Sequence, residues 1–103
     1  MTELNNDSFK IAVEESTPTL VDFWAGWCMP CKIFAPVVEE ISHEMDGRAN
    51  FAKVDIDECP ELAAELGIES IPTLILFKDG EELDRIVGMR PRKDVIEMIE
   101  GHL

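Results

Sequence analysis

Trp27-Cys28-Met29-Pro30-Cys31 places two thiols three positions apart, between an apolar run and a helical pattern. Upstream, Thr19-Leu20-Val21-Asp22-Phe23-Trp24-Ala25 reads as a buried strand of aliphatic, β-branched and aromatic residues broken by one carboxylate. Downstream, Ile33, Phe34, Val37, Val38, Ile41 and Met45 recur at helical spacing. The cysteines therefore stand where a strand hands over to a helix. A helix start leaves unpaired N–H groups and the positive end of the backbone dipole, which favour a thiolate over a thiol. A zinc site would need two further ligands, and only Cys59, His43 and His102 remain. His43 lies twelve residues along the same predicted helix from Cys31, about 18 Å at 1.5 Å per residue, so no metal is expected.

Working outward, a short strand around Thr2 to Leu4 precedes a helix that Asn6 or Asp7 can cap, running through Phe9, Ala12 and Val13 to Glu15 and stopped by Thr17-Pro18. The strand at 19–25 follows, then the helix at 29–45, closed by Asp46-Gly47. Pro30 suits a first helical turn, whereas Pro36 lies inside the pattern and should bend the helix by removing a donor. Residues 50–56 read as a second central strand and 60–66 as a short helix ended by Gly67. Strands at 73–77 and 83–87 flank Lys78-Asp79-Gly80-Glu81, where Asp-Gly signals a tight hairpin. Val95, Ile96, Ile99 and Leu103 give the last helix an apolar face after Pro91. Strands alternating with helices, then a hairpin and a terminal helix, indicate an α/β sandwich with a mixed sheet and helices on both faces.

With 103 residues the expectation is one domain over residues 1–103, large enough to fold without disulfide staples. Nine Lys and Arg against 22 Asp and Glu give a net charge of −13, which argues against nucleic acid or an anionic membrane as partners. No apolar run approaches membrane-spanning length, and the first 20 residues do not have the layout of a signal peptide. A cytoplasmic protein is expected. Three cysteines, two of them a close pair, do not make a disulfide scaffold, and a CxxC in an α/β pattern reads as redox.

Val21-Asp22-Phe23-Trp24-Ala25-Gly26-Trp27-Cys28-Met29-Pro30-Cys31-Lys32, with Ala35-Pro36 after it, resembles the active-site signature of the thioredoxin family. Phe51 through Asp57, Ile71-Pro72-Thr73-Leu74 and Val87-Gly88 resemble three more family landmarks in order and spacing. The likeness covers nearly the whole chain, with one departure: the family usually has Gly where this chain has Met29. It implies the thioredoxin fold, a three-layer α/β/α sandwich with a central mixed sheet of about five strands and four helices. It also implies a thiol–disulfide oxidoreductase that reduces protein disulfides without a bound cofactor. Thioredoxin reductase and disulfide-containing client proteins are the implied partners, and nothing suggests an obligate dimer, so a monomer is expected. The competing readings are an oxidising or isomerising relative and a non-catalytic binding module on the same fold.

Within this reading Cys28, nearer the free helix end, attacks the client disulfide, and Cys31 resolves the mixed disulfide. Asp22 sits in an apolar strand, where burial would raise its pKa toward neutrality; the alternative is a solvated carboxylate on the strand face. The family places the matching aspartate behind the second cysteine, with the residue matching Lys53 nearby. Pro72 is expected to be cis on the resemblance alone, leaving the backbone before it free to pair with an extended substrate. Trp27, Met29, Pro30, Ile56, Ile71, Val87, Gly88 and Met89 match or adjoin the family's partner-contact positions, although ordinary packing would also account for Ile56 and Val87. Cys59, between Glu58 and Pro60, reads as a bystander thiol or as one that forms a regulatory or intermolecular disulfide.

Overall fold

The computed structural model describes residues 1–103. Five strands and four helices follow in the order β1 (Thr2–Glu3), α1 (Asn6–Ala12), β2 (Thr19–Trp24), α2 (Met29–Glu44), β3 (Asn50–Asp55), α3 (Pro60–Glu65), β4 (Thr73–Lys78), β5 (Glu81–Val87) and α4 (Arg92–Glu100). The strands form one sheet in the order β1-β3-β2-β4-β5. β1, β3 and β2 are parallel, and β4 and β5 are antiparallel to their neighbours. This is the mixed five-stranded sheet with four helices that the sequence led us to expect.

Strand alternation sorts the core into two layers. Leu20 of β2 and Leu74 and Leu76 of β4 pack with Phe34, Val38 and Ile41 of α2 and Val95, Met98 and Ile99 of α4. Val21 and Phe23 of β2 and Ile75 and Phe77 of β4 face the other way, toward Phe9 of α1 and Leu62 of α3. Both faces of β2 and β4 are thus covered, as unbroken apolar runs in central strands require. The alternation that sends Val21 and Phe23 to one face sends Asp22 to the face carrying α2.

Several boundaries differ from expectation for identifiable reasons. Asn5, not Asn6 or Asp7, caps α1: its side chain accepts the Ser8 N–H and its own N–H donates to Ser8 Oγ, both at 2.8 Å. α1 ends at Ala12 rather than Glu15, and the carbonyls of Val13 and Glu15, just past its end, accept the N–H groups of Gly80 and Asp79 at the hairpin turn. That turn has positive φ at both residues, 53° for Asp79 and 81° for Gly80, the two-residue geometry that Asp-Gly favours. α2 runs unbroken past Pro36, which leaves the Lys32 carbonyl without its helical donor. Leu103 lies beyond α4 and is 52% exposed; Met98 fills the buried position instead. Ile33 also leaves the expected core stripe and is 57% exposed. The burial of Ile99 against the exposure of Leu103 gives a direct test. By urea denaturation, Ile99→Ala should cost about 2–5 kcal/mol, and Leu103→Ala no more than about 0.5 kcal/mol.

Candidate active site

β2 ends at Trp24 and, after a tight turn, the chain enters α2 with Cys28 as its N-cap residue. Cys28 Sγ accepts the Cys31 N–H at 3.2 Å, and the Cys28 N–H donates to the Ala25 carbonyl at 3.1 Å. Sulfur here fills the place an oxygen usually takes at a helix start, so a thiolate on Cys28 meets a backbone donor and the positive helix end together. The first turn of α2 contains no acidic residue and has Lys32 at its end. Cys28 and Cys31 are joined as a disulfide and pack with Ala25 against Trp24, Ile56 and Ile71.

Exposure does not distinguish the two cysteines, since each is 4% exposed. The spaces they border do. Cys28 lines an open groove of about 450 Å³ with Trp27, Met29, Pro30, Ile56, Ile68, Glu69, Ser70 and Ile71. Cys31 lines a separate cavity of about 170 Å³ with Met1, Asp22, Trp24, Lys32, Ala35, Glu39 and Lys53. A larger depression of about 580 Å³, between α1 and the end of α2, contains no cysteine. No cluster of three His, Cys, Asp or Glu side chains is placed to hold a metal ion.

Asp22 is 4% exposed and its Oδ1 has no hydrogen-bond partner. Burial pushes its pKa from 3.8 up to about 7, against the pull of Lys53 and with a small push from Glu3. Lys53 stands opposite Asp22 in the β2–β3 register, but its Nζ lies 3.9 Å from Glu3 Oε1 and 5.1 Å above the Trp24 ring. The lysine therefore shares the cavity while pairing with another carboxylate, and Asp22 is left without an ion-pair partner.

On the groove side, the Ile71–Pro72 bond is cis and Cys28 Sγ lies 3.8 Å from the Ile71 carbonyl oxygen. Neither the N–H nor the C=O of Ile71 makes a backbone hydrogen bond. The Trp27 indole N–H donates to Asp57 at 3.0 Å, and the Ile56 N–H donates to the Trp24 carbonyl. Gly88, at φ 83°, donates its N–H to the Pro72 carbonyl, and Val87 pairs with Thr73. Val87, Gly88 and Met89 thus adjoin Pro72 without lining the groove, and Val87 and Met89 are exposed. Ile68, Glu69 and Ser70 do line it, and the sequence reading did not single them out. They lie in an irregular segment with no periodicity to mark a face; only their position between Gly67 and Pro72 could have pointed to them. Cys59 is 2% exposed within the α1/α3 core layer, and burial with the neighbouring carboxylates raises its thiol pKa. The thiol is thus enclosed in the core rather than presented at the surface.

A family profile described as Thioredoxin matches residues 1–101. The chain belongs to the thioredoxin family. It is 54% identical over 89 residues to a thioredoxin of Staphylococcus saprophyticus subsp. saprophyticus, covering 86% of each chain. The figure is 49%, with the same coverage, for a thioredoxin of Staphylococcus aureus. Among solved structures, Malassezia sympodialis thioredoxin superposes with a TM-score of 0.89 at 37% identity, covering 96% of this chain and 90% of that one. With the paired cysteines in place, this member of the family is a thiol–disulfide oxidoreductase of the protein-disulfide reductase kind.

The Asp22 environment fixes a sign for stability. Between about pH 4 and pH 7 the folded chain holds a proton that the unfolded chain has released. The contribution is therefore full below the unfolded pKa and lost as pH rises through about 7. Asp22→Asn, uncharged throughout, should leave stability nearly unchanged at pH 4. At pH 8 it should raise stability by up to roughly 4 kcal/mol, three pKa units at 1.36 kcal/mol each. Urea denaturation of the disulfide form at both pH values reads this directly; an equal gain at both would contradict it.

Proposed function

We propose that client reduction is divided between the two spaces that the cysteine pair borders. The observation that carries this reading is the partition itself: Cys28 faces the groove and Cys31 faces the Asp22 cavity. In the dithiol state the Cys28 thiolate, held by the Cys31 N–H and the start of α2, attacks one sulfur of a client disulfide lying in the groove. A Cys28–client disulfide forms, and the other client sulfur leaves as a thiolate that takes a proton from water. The client backbone on either side of its cysteine pairs with the free N–H and C=O of Ile71, beside Pro72.

Resolution takes place on the other side. Asp22, with a pKa of about 7, is charged in a large share of molecules near neutrality and accepts the Cys31 proton, directly or through water. The Cys31 thiolate then attacks Cys28 sulfur, the Cys28–Cys31 disulfide forms, and the client leaves carrying both electrons in its thiol pair. Lys53 acts at a distance, opposing full protonation of Asp22. Trp27, Met29, Pro30 and Ile56 form the client-facing rim, continued past Pro72 by Val87, Gly88 and Met89. Exposed Met29 and Met89 make that rim softer and more apolar than a glycine would.

The cycle closes when thioredoxin reductase returns two electrons to the disulfide, and no bound cofactor takes part. One copy suffices, since both cysteines, Asp22 and the groove come from a single chain. A reducing compartment such as the cytoplasm suits a dithiol that must be regenerated.

Trapping separates the roles. Cys31→Ser should accumulate a covalent adduct with a disulfide client, visible by intact mass, whereas Cys28→Ser should form none. Asp22→Asn should slow client release tenfold or more near pH 7 and flatten its pH dependence. Unchanged turnover of that variant across pH 6–9 would remove Asp22 from the mechanism.

A further inference from the structure

The groove beside Cys28 is not chemically neutral. Its lining is apolar except for Cys28, Ser70 and Glu69, and it contains no basic side chain. Glu69 is exposed and has no Lys, Arg or His nitrogen within 4.0 Å. The nearby cation is already engaged: Arg85 is held by the Glu82 carboxylate and donates to the Leu66 carbonyl. Lys32 and Lys53 border the Cys31 cavity instead. At the Trp27 edge of the same groove, Asp57 accepts the indole N–H and brings a second carboxylate to the rim. The whole chain carries a charge of −13, and no basic side chain in the groove lining offsets these carboxylates.

We propose that Glu69 is a specificity residue, and that the groove prefers client segments carrying an apolar residue and a Lys or Arg beside the disulfide cysteine. This rests on the reductase reading above. The apolar floor takes the uncharged side chain. The basic side chain reaches Glu69, which has no cation of its own to displace. Glu69 and Ile71 are two positions apart, so the basic residue falls within about two residues of the client cysteine at roughly 3.3 Å per extended residue. Continuity with the reactive sulfur makes this a kinetic preference: the charge is read while Cys28 Sγ, in the same lining, is brought onto the client disulfide.

The test uses disulfide-linked peptide dimers of the form apolar residue, Cys, and then Lys, Ala or Glu two positions on. Reduction by the full-length dithiol protein is followed by tryptophan fluorescence, at low and high salt. The wild-type protein should reduce the Lys peptide about fivefold faster than the Glu peptide in kcat/KM, with Ala between, a ratio of the size an exposed ion pair supports. Glu69→Gln should remove most of that ratio, Glu69→Lys should invert it, and high salt should compress it. Glu81→Gln makes the same net-charge change at the hairpin, at the opposite end of the sheet, and should leave the ratio intact. A ratio equally affected by Glu69→Gln and Glu81→Gln, or unaffected by either, overturns the proposal. Failure of the wild-type protein to reduce the Ala peptide would instead count against the reductase reading.

Discussion

The hydrogen bond from the Cys31 N–H to Cys28 Sγ is the constraint from which the chemistry of this protein follows. It exists because β2 delivers the chain into α2 with a cysteine at the N-cap, the one position where a side chain is asked to accept from the third residue of the helix. Two consequences follow from the same geometry. Cys28 is turned toward the groove that leads to Ile71, and Cys31, inside the first turn, is turned toward the sheet. A helix beginning one residue earlier or later would leave neither sulfur in its place.

The second requirement is strand parity. β2 is covered on both faces, and Leu20, Val21 and Phe23 alternate between the two core layers. Asp22 falls on the α2 side by the same rule and meets the Cys31 cavity rather than solvent. An unpaired buried carboxylate costs stability, and a pKa moved toward neutrality is what proton transfer near pH 7 requires. The lysine that could neutralise it lies against Glu3 and the Trp24 ring, so the carboxyl titrates close to neutral pH instead of being locked as an anion.

Much of this was legible in the sequence. The CxxC between an apolar strand and an amphipathic helix, the carboxylate inside that strand and the Asp-Gly turn each have a local physical signature. The strand order and the cis bond before Pro72 were legible only through resemblance, because periodicity does not fix strand order and an X-Pro bond is usually trans. Tertiary contacts hid the rest. The hairpin turn bonds the carbonyls of Val13 and Glu15 just past the end of α1, a contact between distant segments. Ile33 follows the helical period yet faces outward, since the core stripe runs through Phe34, Val38 and Ile41. Ile68, Glu69 and Ser70 come to line the groove beside Cys28 only when the loop before Pro72 folds against the start of α2, a juxtaposition over about forty positions that local pattern cannot reveal.

The claim that this chain donates electrons to protein disulfides is tested most directly by the equilibrium reduction potential of the Cys28–Cys31 pair. Cys59→Ser removes the one other thiol, and Trp24 and Trp27 fluorescence follows the change against buffers of known poise. A donor of this kind has a potential clearly more reducing than the glutathione couple, with each 30 mV of separation equal to about a tenfold bias toward client reduction. A potential on the oxidising side of glutathione would contradict it, since a pair so poised would form client disulfides rather than break them.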